Sequence, residues 1–149
     1  MNDRFWMQRA LDLATQAASE GEVPVGALVV HQGEIVGEGY NSTISASDPT
    51  AHAEVVALRR AATRLNNYRL PDTRVFVTLE PCTMCVGALI HARISELVFA
   101  AREPRTGAVV SCASLLDQPW HNHRIKWQEG VLADDSTALM QQFFRARRQ

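Results

Sequence analysis

The sequence has no long apolar run. Its longest apolar stretches, such as Val25–Val30, are far shorter than the ~20 residues that cross a membrane as a helix. The N-terminal segment MNDRFWMQRALDLA lacks the apolar centre of a secretory signal and has the spacing of an amphipathic helix. We therefore expect a cytoplasmic protein with no membrane partner.

Cysteine and net charge are also scarce. Three cysteines are a poor disulfide framework, whereas the C-x-x-C pair Cys82 and Cys85 is typical of metal or redox sites in a reducing compartment. The formal net charge is −1, so a polyanion would have to be bound by a local basic patch. The 149 residues are 46% hydrophobic, with no repeat or linker-like run. We expect one globular domain over residues 1–149.

Apolar periodicity predicts alternating helices and strands. A first helix over 3–20, capped by Asp3 and ended at Gly21, precedes a Val-rich hairpin that turns at Gln32-Gly33. The later predicted elements are a helix at 51–65, a strand at 74–79, a helix at 82–92, a strand at 94–100, a strand at 125–128 and a helix from about 134. Residues 102–124 show no clear pattern. Two strand–helix–strand passages after the hairpin predict an α/β fold with helices on the faces of its sheet.

Three side chains have the chemistry of a zinc site. Cys82 and Cys85 are three residues apart, which puts their sulfurs on one face of a helix that Pro81 is suited to start. The positive end of the helix dipole favours the thiolate form that binds a metal. His52 supplies a third ligand, and a His/Cys/Cys set is typical of Zn²⁺. Three protein ligands leave one coordination position for water, as in catalytic zinc sites.

Glu54 supplies the base that such a site needs. Two thiolates cancel the charge of Zn²⁺, so the metal alone acidifies its water less than it would among three neutral histidines. Positions i and i+2 do not share a helix face. His52 and Glu54 can therefore serve one pocket only if their helix begins here and points its first turn into it. The combined pattern H-x-E…P-C-x-x-C is the signature of zinc-dependent deaminases that act on bases.

A structural zinc site is the alternative. It would need a fourth ligand, for which His91, His121 and His123 are the candidates. Cys112 is expected to be a small buried residue instead of a ligand.

The chain resembles the bacterial tRNA-specific adenosine deaminases of the cytidine deaminase-like superfamily. The resemblance runs nearly end to end, and its most specific stretches are EVPVGA (22–27), GEGYN (37–41), DPTAHAE (48–54), NYRL (67–70), VTLEPCTMC (77–85) and FFRARRQ (143–149). It implies a three-layer α/β/α sandwich with a five-stranded mixed sheet. The implied reaction converts the wobble adenosine of tRNA to inosine, with zinc activating the water that attacks C6 and Glu54 moving the protons.

The resemblance also implies partners and binding residues. It implies a homodimer with one zinc ion per subunit, bound to a tRNA anticodon stem-loop. Asn41 and the backbones of Ala53 and Pro81 are expected to contact the flipped nucleotide, and Val25 to form an apolar wall. Phe144, Arg145, Arg147 and Arg148 match a C-terminal helix that contacts RNA. Glu103, followed by Pro104, stands where relatives commonly have Asp, and its carboxylate is expected to reach a ribose hydroxyl.

Other interpretations stay open on the residues alone. A deaminase of free nucleobases, nucleosides or nucleotides would have the same zinc site. A non-catalytic zinc scaffold or RNA-binding subunit is the rival from another class, although it would have no use for Glu54. The tail arginines also complement a helix dipole without any partner. Trp120 and Trp127 are expected to be packing residues.

Overall fold

A computed structural model describes residues 1–148 of the chain. Gln149, the last residue of the predicted domain and of the 143–149 stretch, lies outside the described residues. The described elements, besides a short 3₁₀ turn at Leu115–Asp117, are α1 (Asp3–Ser19), β1 (Gly26–His31), β2 (Glu34–Tyr40), α2 (Ala53–Leu65), β3 (Thr73–Leu79), α3 (Thr83–Ala92), β4 (Glu96–Ala101), β5 (Lys126–Glu129) and α4 (Ala133–Arg147). Within 1–148, no helix is long and apolar enough to cross a membrane.

The five strands of the described chain form one mixed sheet in the order β2-β1-β3-β4-β5. Strand β1 is antiparallel to both β2 and β3, whereas β3, β4 and β5 are parallel. The β1–β2 hairpin turns at Gln32 and Gly33, whose φ angles of 53° and 76° are typical of a type I′ turn. The predicted mixed sheet is therefore confirmed.

Helices cover both faces of the sheet. Because successive strand residues point to opposite faces, each strand contributes to two cores. Val75 and Phe99 lie in the larger core, which includes residues of α2 and α3. Phe76 and Val98 lie in the smaller core with residues of α1, and α4 packs against β4 and α1. The predicted three-layer α/β/α sandwich is confirmed.

Helix α2 lies directly against the backbone of β2. A Cβ atom on Gly39 would lie 2.7 Å from the Ala53 carbonyl oxygen, 2.7 Å from the Ala57 nitrogen and 2.8 Å from the Val56 Cβ. A Cβ on Gly37 would collide with the next turn of the same helix, at Ala57 and Ala61. Because these strand positions carry no side chain, the helix approaches closely enough to fix the position of its first turn.

One predicted helix cap is wrong. The side chain of Asn2 caps α1 and accepts a hydrogen bond from the Phe5 N–H at 3.0 Å. Asp3 is the first helical residue instead, and its carboxylate pairs with Arg74 at 3.0 Å. A side chain at the first helical position cannot occupy the cap, so the two neighbouring polar residues divide the two roles.

Two predictions for residues 102–124 are also wrong. Cys112 is exposed, and its thiol donates to the Pro104 carbonyl oxygen at 3.1 Å. Trp120 is 68% exposed, whereas Trp127 stacks on Phe99 with ring centroids 5.9 Å apart, as a packing residue should. The segment runs along the surface with little regular structure, so residue type alone does not decide burial there.

Replacing Gly39 with alanine tests the close helix–strand contact. Gly39→Ala is expected to destabilise the protein by about 1–3 kcal/mol, since the new methyl group must push α2 away from β2. Gly87→Ala is the matched control: Gly87 lies within α3 with open space around its Cβ position, so alanine should be neutral or stabilising by up to about 1 kcal/mol. Chemical denaturation measures both. Equal stabilities for the two variants would contradict the close contact.

Candidate active site

His52 lies immediately before the first turn of α2. It is the N-cap residue, with extended backbone angles and no side-chain hydrogen bond to the helix. The preceding loop is fixed by Asp48, which accepts hydrogen bonds from the N–H and the hydroxyl of Thr50, both at 2.8 Å. The imidazole is therefore free to point away from the helix, and the predicted helix start at this residue is confirmed.

The two thiols lie at the start of α3. Cys82 is the N-cap residue and half-buried, and Cys85 is fully buried one turn later. Pro81 precedes the cap instead of starting the helix, which corrects the sequence-based placement by one or two residues. Both helices that carry these ligands follow the ends of strands β2 and β3, where sites collect in α/β sheets.

The three side chains converge with the spacing of a metal site. The Nδ1 atom of His52 lies 3.6 Å from the Cys82 sulfur and 3.5 Å from the Cys85 sulfur. A nitrogen at about 2.0 Å and a sulfur at about 2.3 Å from one tetrahedral zinc ion lie about 3.5 Å apart. All three ligand atoms lie within 4.8 Å of one another. The donor set and its spacing fit Zn²⁺.

The electrostatics of the thiols also favour a cation. A hydrogen bond from Cys85, supported by His52, holds the pKa of Cys82 at about 3. The same contact, together with burial, raises the pKa of Cys85. A second thiolate beside the first therefore needs a positive charge between them, which is what a divalent metal supplies.

The described residues do not support a fourth protein ligand. The metal-binding group found in residues 1–148 comprises His52, Cys82 and Cys85. The ring Nε2 of His121 lies 2.8 Å from the Leu115 carbonyl oxygen and that of His123 lies 2.6 Å from the Ile94 carbonyl oxygen. His121 and His123 thus contact the backbone, and the third candidate, His91, is exposed and lines a different groove, so the group has three protein ligands among the described residues.

Glu54 enters the same pocket from the first turn of α2. Its side chain is only 4% exposed and shares one cavity with His52 and Cys82. Burial raises the pKa of Glu54 to about 7. A buried acid beside a three-ligand metal group can exchange protons with a small molecule there.

The cavity has a volume of about 270 Å³. Four residues with an expected role in substrate binding line it: Val25, Asn41, Ala53 and Glu103. Pro81 is buried and is not among the lining residues, and its carbonyl oxygen accepts a hydrogen bond from the Ala108 N–H at 2.9 Å. The cavity is large enough for a small molecule beside His52 and Cys82.

A second cavity of about 770 Å³ adjoins the first. The two share Val23, Leu79 and Glu103 as wall residues. Phe144 and Arg147 of α4 and its C-cap residue Arg148 line the second cavity, whereas Arg145 is exposed and lies outside its lining. The tail residues are therefore adjacent to the catalytic cavity instead of inside it.

Sequence reasoning missed two buried carboxylates, Glu80 at the wall of the first cavity and Glu22 next to the lining residue Val23. Glu80 contacts the 103–111 segment, and Glu22 accepts hydrogen bonds from the N–H groups of Ile44 at 3.2 Å and Ser45 at 2.8 Å. Burial opposes ionisation of Glu22, but hydrogen bonds from these amides and from the side chains of Ser45 and Thr43 outweigh it and lower the pKa of Glu22. Each glutamate lies next to an apolar strand, and this is the sequence signal that could have identified them. Their hydrogen-bond donors lie in distant loops, whose positions the sequence does not predict.

Comparison with known proteins identifies the family. The cytidine and deoxycytidylate deaminase zinc-binding region matches residues 1–101. The tRNA-specific adenosine deaminase of Haemophilus influenzae is 47% identical over 148 residues, covering 99% of this chain and 86% of that protein. The chain belongs to the tRNA-specific adenosine deaminase family. The zinc prediction is confirmed by the matched zinc-binding region and by the grouped His52, Cys82 and Cys85.

Solved structures agree with this family. A structure from work on A-to-I editing by tRNA:A34 deaminases at the wobble position is 38% identical, with a TM-score of 0.88. The match covers 91% of this chain and 98% of the other. A guanine deaminase from Bacillus subtilis is 32% identical with a TM-score of 0.68, covering 99% of this chain and 94% of the other. The tRNA-specific adenosine deaminases thus share their fold with an enzyme named for a free base.

Neutralising Glu22 tests how its loop is held. Glu22→Gln is expected to lower the free energy of unfolding at pH 7 by about 2 kcal/mol, because the part-buried amide donors of Ile44 and Ser45 lose a charged acceptor. The folded-state pKa lies below the ordinary 4.5, so the carboxylate stabilises the protein above that pH and ceases to do so as pH falls through the folded value.

The difference between the wild type and Glu22→Gln should therefore shrink as pH falls below 4.5. Urea denaturation at a series of pH values measures it, with the exposed Glu34→Gln as a control that should show no such trend. A difference that stays constant over this range would contradict the role of the Glu22 charge.

Proposed function

We propose that this protein hydrolytically deaminates the wobble adenosine in a tRNA anticodon stem-loop, giving inosine and ammonia. The observation that carries the proposal is Glu54: a buried carboxylate that shares a small cavity with a three-ligand metal group. A structural zinc site has no use for such an acid. The family membership supports adenosine in tRNA as the substrate.

His52, Cys82 and Cys85 would hold the metal. When bound there, zinc supplies Lewis-acid chemistry that makes a water molecule a stronger nucleophile. Glu54 accepts a proton from the water that attacks C6 of adenine, and it donates a proton to N1 of the ring. It then delivers the second proton of that water to the departing amino group, so that adenosine and water become inosine and ammonia.

The rest of the cavity binds and orients the nucleotide. Val25 offers an apolar wall to the base, and the Asn41 side chain and Ala53 backbone offer hydrogen bonds to it. Glu103 lies at the boundary of the two cavities, which supports the proposal that its carboxylate accepts a hydrogen bond from a ribose hydroxyl. Pro81 does not line the cavity, and it contributes by accepting a hydrogen bond from the Ala108 N–H, which stabilises the neighbouring loop.

The adjoining cavity favours a polymeric substrate. It is lined by Arg102, Arg105, Arg147 and Arg148 together with Phe144, which is 42% exposed. Among these, Arg102 is paired with Glu129 at 2.7 Å. Arg147 donates to the Gly21 carbonyl oxygen, which leaves Arg105, Arg148 and the aromatic ring to contact phosphates and a neighbouring base next to the flipped nucleotide. With a net charge of −1, this local patch provides the attraction for RNA that the whole molecule lacks.

A deaminase of free bases is the second candidate. The likeness to the guanine deaminase from Bacillus subtilis favours it, because the metal site alone does not distinguish a free base from a flipped one. The two candidate functions differ in whether the second cavity contacts a polymer. Activity assays on tRNA and on free compounds therefore distinguish them, whereas the zinc content does not.

We also propose that the single-domain subunits, each with one zinc ion, form a homodimer in the cytoplasm, where a tRNA substrate is found. An apolar groove between α2 and α3, lined by Leu58, Ala62, Leu70 and Ala88, supports the dimer. Tyr68 at this groove is 73% exposed. Burying such a surface against a second subunit would remove apolar area from water.

Substrate choice is tested with the purified protein. Incubation with a tRNA that carries adenosine at the wobble position should give inosine at that base, whereas free adenosine, cytidine and guanine should release little ammonia. Glu54→Gln should retain one zinc per chain and lose activity by about a thousandfold or more, since proton transfer is removed while the ligands stay. Base-resolved inosine mapping and metal analysis make the measurements.

Two outcomes would contradict the proposal. Turnover of a free compound without inosine in the tRNA would assign the protein to the free-base deaminases. Loss of zinc in Glu54→Gln would make Glu54 a metal ligand and exclude the proton-transfer role.

Arg148 tests the adjoining cavity as an RNA surface. Arg147 is a poor choice, because it donates to the Gly21 carbonyl oxygen and lies over the Phe143 ring at 4.5 Å, so its loss would also disturb packing. Arg148→Ala should weaken tRNA binding and reduce the slope of log Kd against log salt by about 1, the signature of one lost phosphate contact. Arg4→Ala, on an exposed residue of α1, is the matched control. Equal slopes for the two variants would remove α4 from the RNA surface.

A further inference from the structure

Glu80 is a buried acid that the proposed reaction does not use. It follows β3 directly, is 3% exposed and is not among the metal-binding residues. Its carboxylate accepts hydrogen bonds from four backbone N–H groups: Glu103 at 3.0 Å, Val109 at 3.1 Å, Val110 at 2.8 Å and Ser111 at 2.9 Å. The Ser111 hydroxyl is a fifth donor. One carboxylate therefore accepts hydrogen bonds from four residues of the 103–111 segment.

The 103–111 segment has no strand or helix of its own. Its backbone N–H groups are partly buried and need acceptors, which secondary structure does not provide here. Hydrogen bonds to a charged acceptor are shorter and stronger than those between neutral groups. The Glu80 carboxylate thus supplies the hydrogen-bond acceptors that a neighbouring strand would otherwise provide for this segment. The segment also contains one hydrogen bond of its own, from the Gly107 N–H to the Glu103 carbonyl oxygen at 2.9 Å.

Gly107 gives independent evidence of how closely the segment surrounds the carboxylate. A Cβ atom at this position would collide with the carboxyl carbon and both carboxyl oxygens of Glu80. The backbone at Gly107 therefore lies directly against the carboxylate, at a distance that no other residue allows without movement.

The same segment forms a wall of the catalytic cavity. Glu103 and Thr106 line that cavity, and Glu103 also lines the adjoining one. Glu80 joins this wall to Pro81 and to Cys82, the N-cap residue of α3, so the wall keeps a fixed position relative to the metal ligands. We propose that Glu80 is a positioning residue, which holds the 103–111 segment in the conformation that binds the substrate nucleotide.

This inference rests on the proposed function for its kinetic consequence only. Without the Glu80 carboxylate, residues 103–111 become ordered only when the substrate binds. The free energy of ordering them then weakens substrate binding, while the zinc ligands and Glu54 stay in place. KM should then rise with kcat nearly unchanged, whereas a general loss of folding would lower the active fraction and hence kcat.

Glu80→Gln and Ser111→Ala test the proposal in the full-length protein. Glu80→Gln should raise KM for the adenosine-wobble tRNA about tenfold, equivalent to about 1.4 kcal/mol. Ser111→Ala, which removes one donor and keeps the carboxylate, should act in the same direction by a smaller factor. Glu34→Gln neutralises an exposed acid and should match the wild type. Zinc content is measured in every variant.

Hydrogen exchange followed by mass spectrometry measures how well the amides of residues 103–111 are protected, and it needs no substrate. In Glu80→Gln, peptides covering 103–111 should exchange faster, while those of β3 and α2 keep their protection. Unchanged exchange in 103–111 would overturn the proposal, as would a fall in kcat with unchanged KM. Faster exchange in a protein that leaves tRNA unmodified would instead keep the Glu80 contact and reject the proposed substrate.

Discussion

The site depends on two helices that begin at the same edge of the sheet. Helices α2 and α3 each follow a strand, and each begins with a metal-ligand residue at its N-cap, His52 and Cys82. Neither side chain caps its own helix, so both are free to meet across the gap between the helices. The positive ends of both helix dipoles point to the place where the thiolates gather. Ligand geometry and thiolate stability thus have one structural origin.

The packing of α2 makes that geometry rigid. Gly37 and Gly39 bring the Ala-rich face of α2 onto the backbone of β2, where side chains of ordinary size would separate them. His52 and Glu54 lie at the beginning of this helix, so a displacement of α2 would move ligand and acid together. Gly37 and Gly39 therefore help to set the positions of His52 and Glu54 although they lie outside the cavity lining.

The sequence predicted the parts of the site that depend on local signals. The spacing of Cys82 and Cys85 and the helix start at His52 are properties of a few neighbouring residues, and the structure agrees with them. The roles of Glu80 and Glu22 depend on backbone groups 22 to 31 positions away in the chain, which no local pattern records. Cys112 and Trp120 were misjudged for a related reason, since an irregular surface segment has no periodicity from which burial follows.

The two buried carboxylates have a consequence for how such enzymes diversify. Glu22 and Glu80 bind main-chain N–H groups, which every residue except proline carries. Apart from Gly107 and Ser111, the side chains of both loops can therefore change while the backbone keeps its conformation. Substitution at the cavity wall can then alter what the cavity contacts while the metal ligands, Glu54 and the sheet keep their positions. A shared fold with a guanine deaminase is what such divergence would produce.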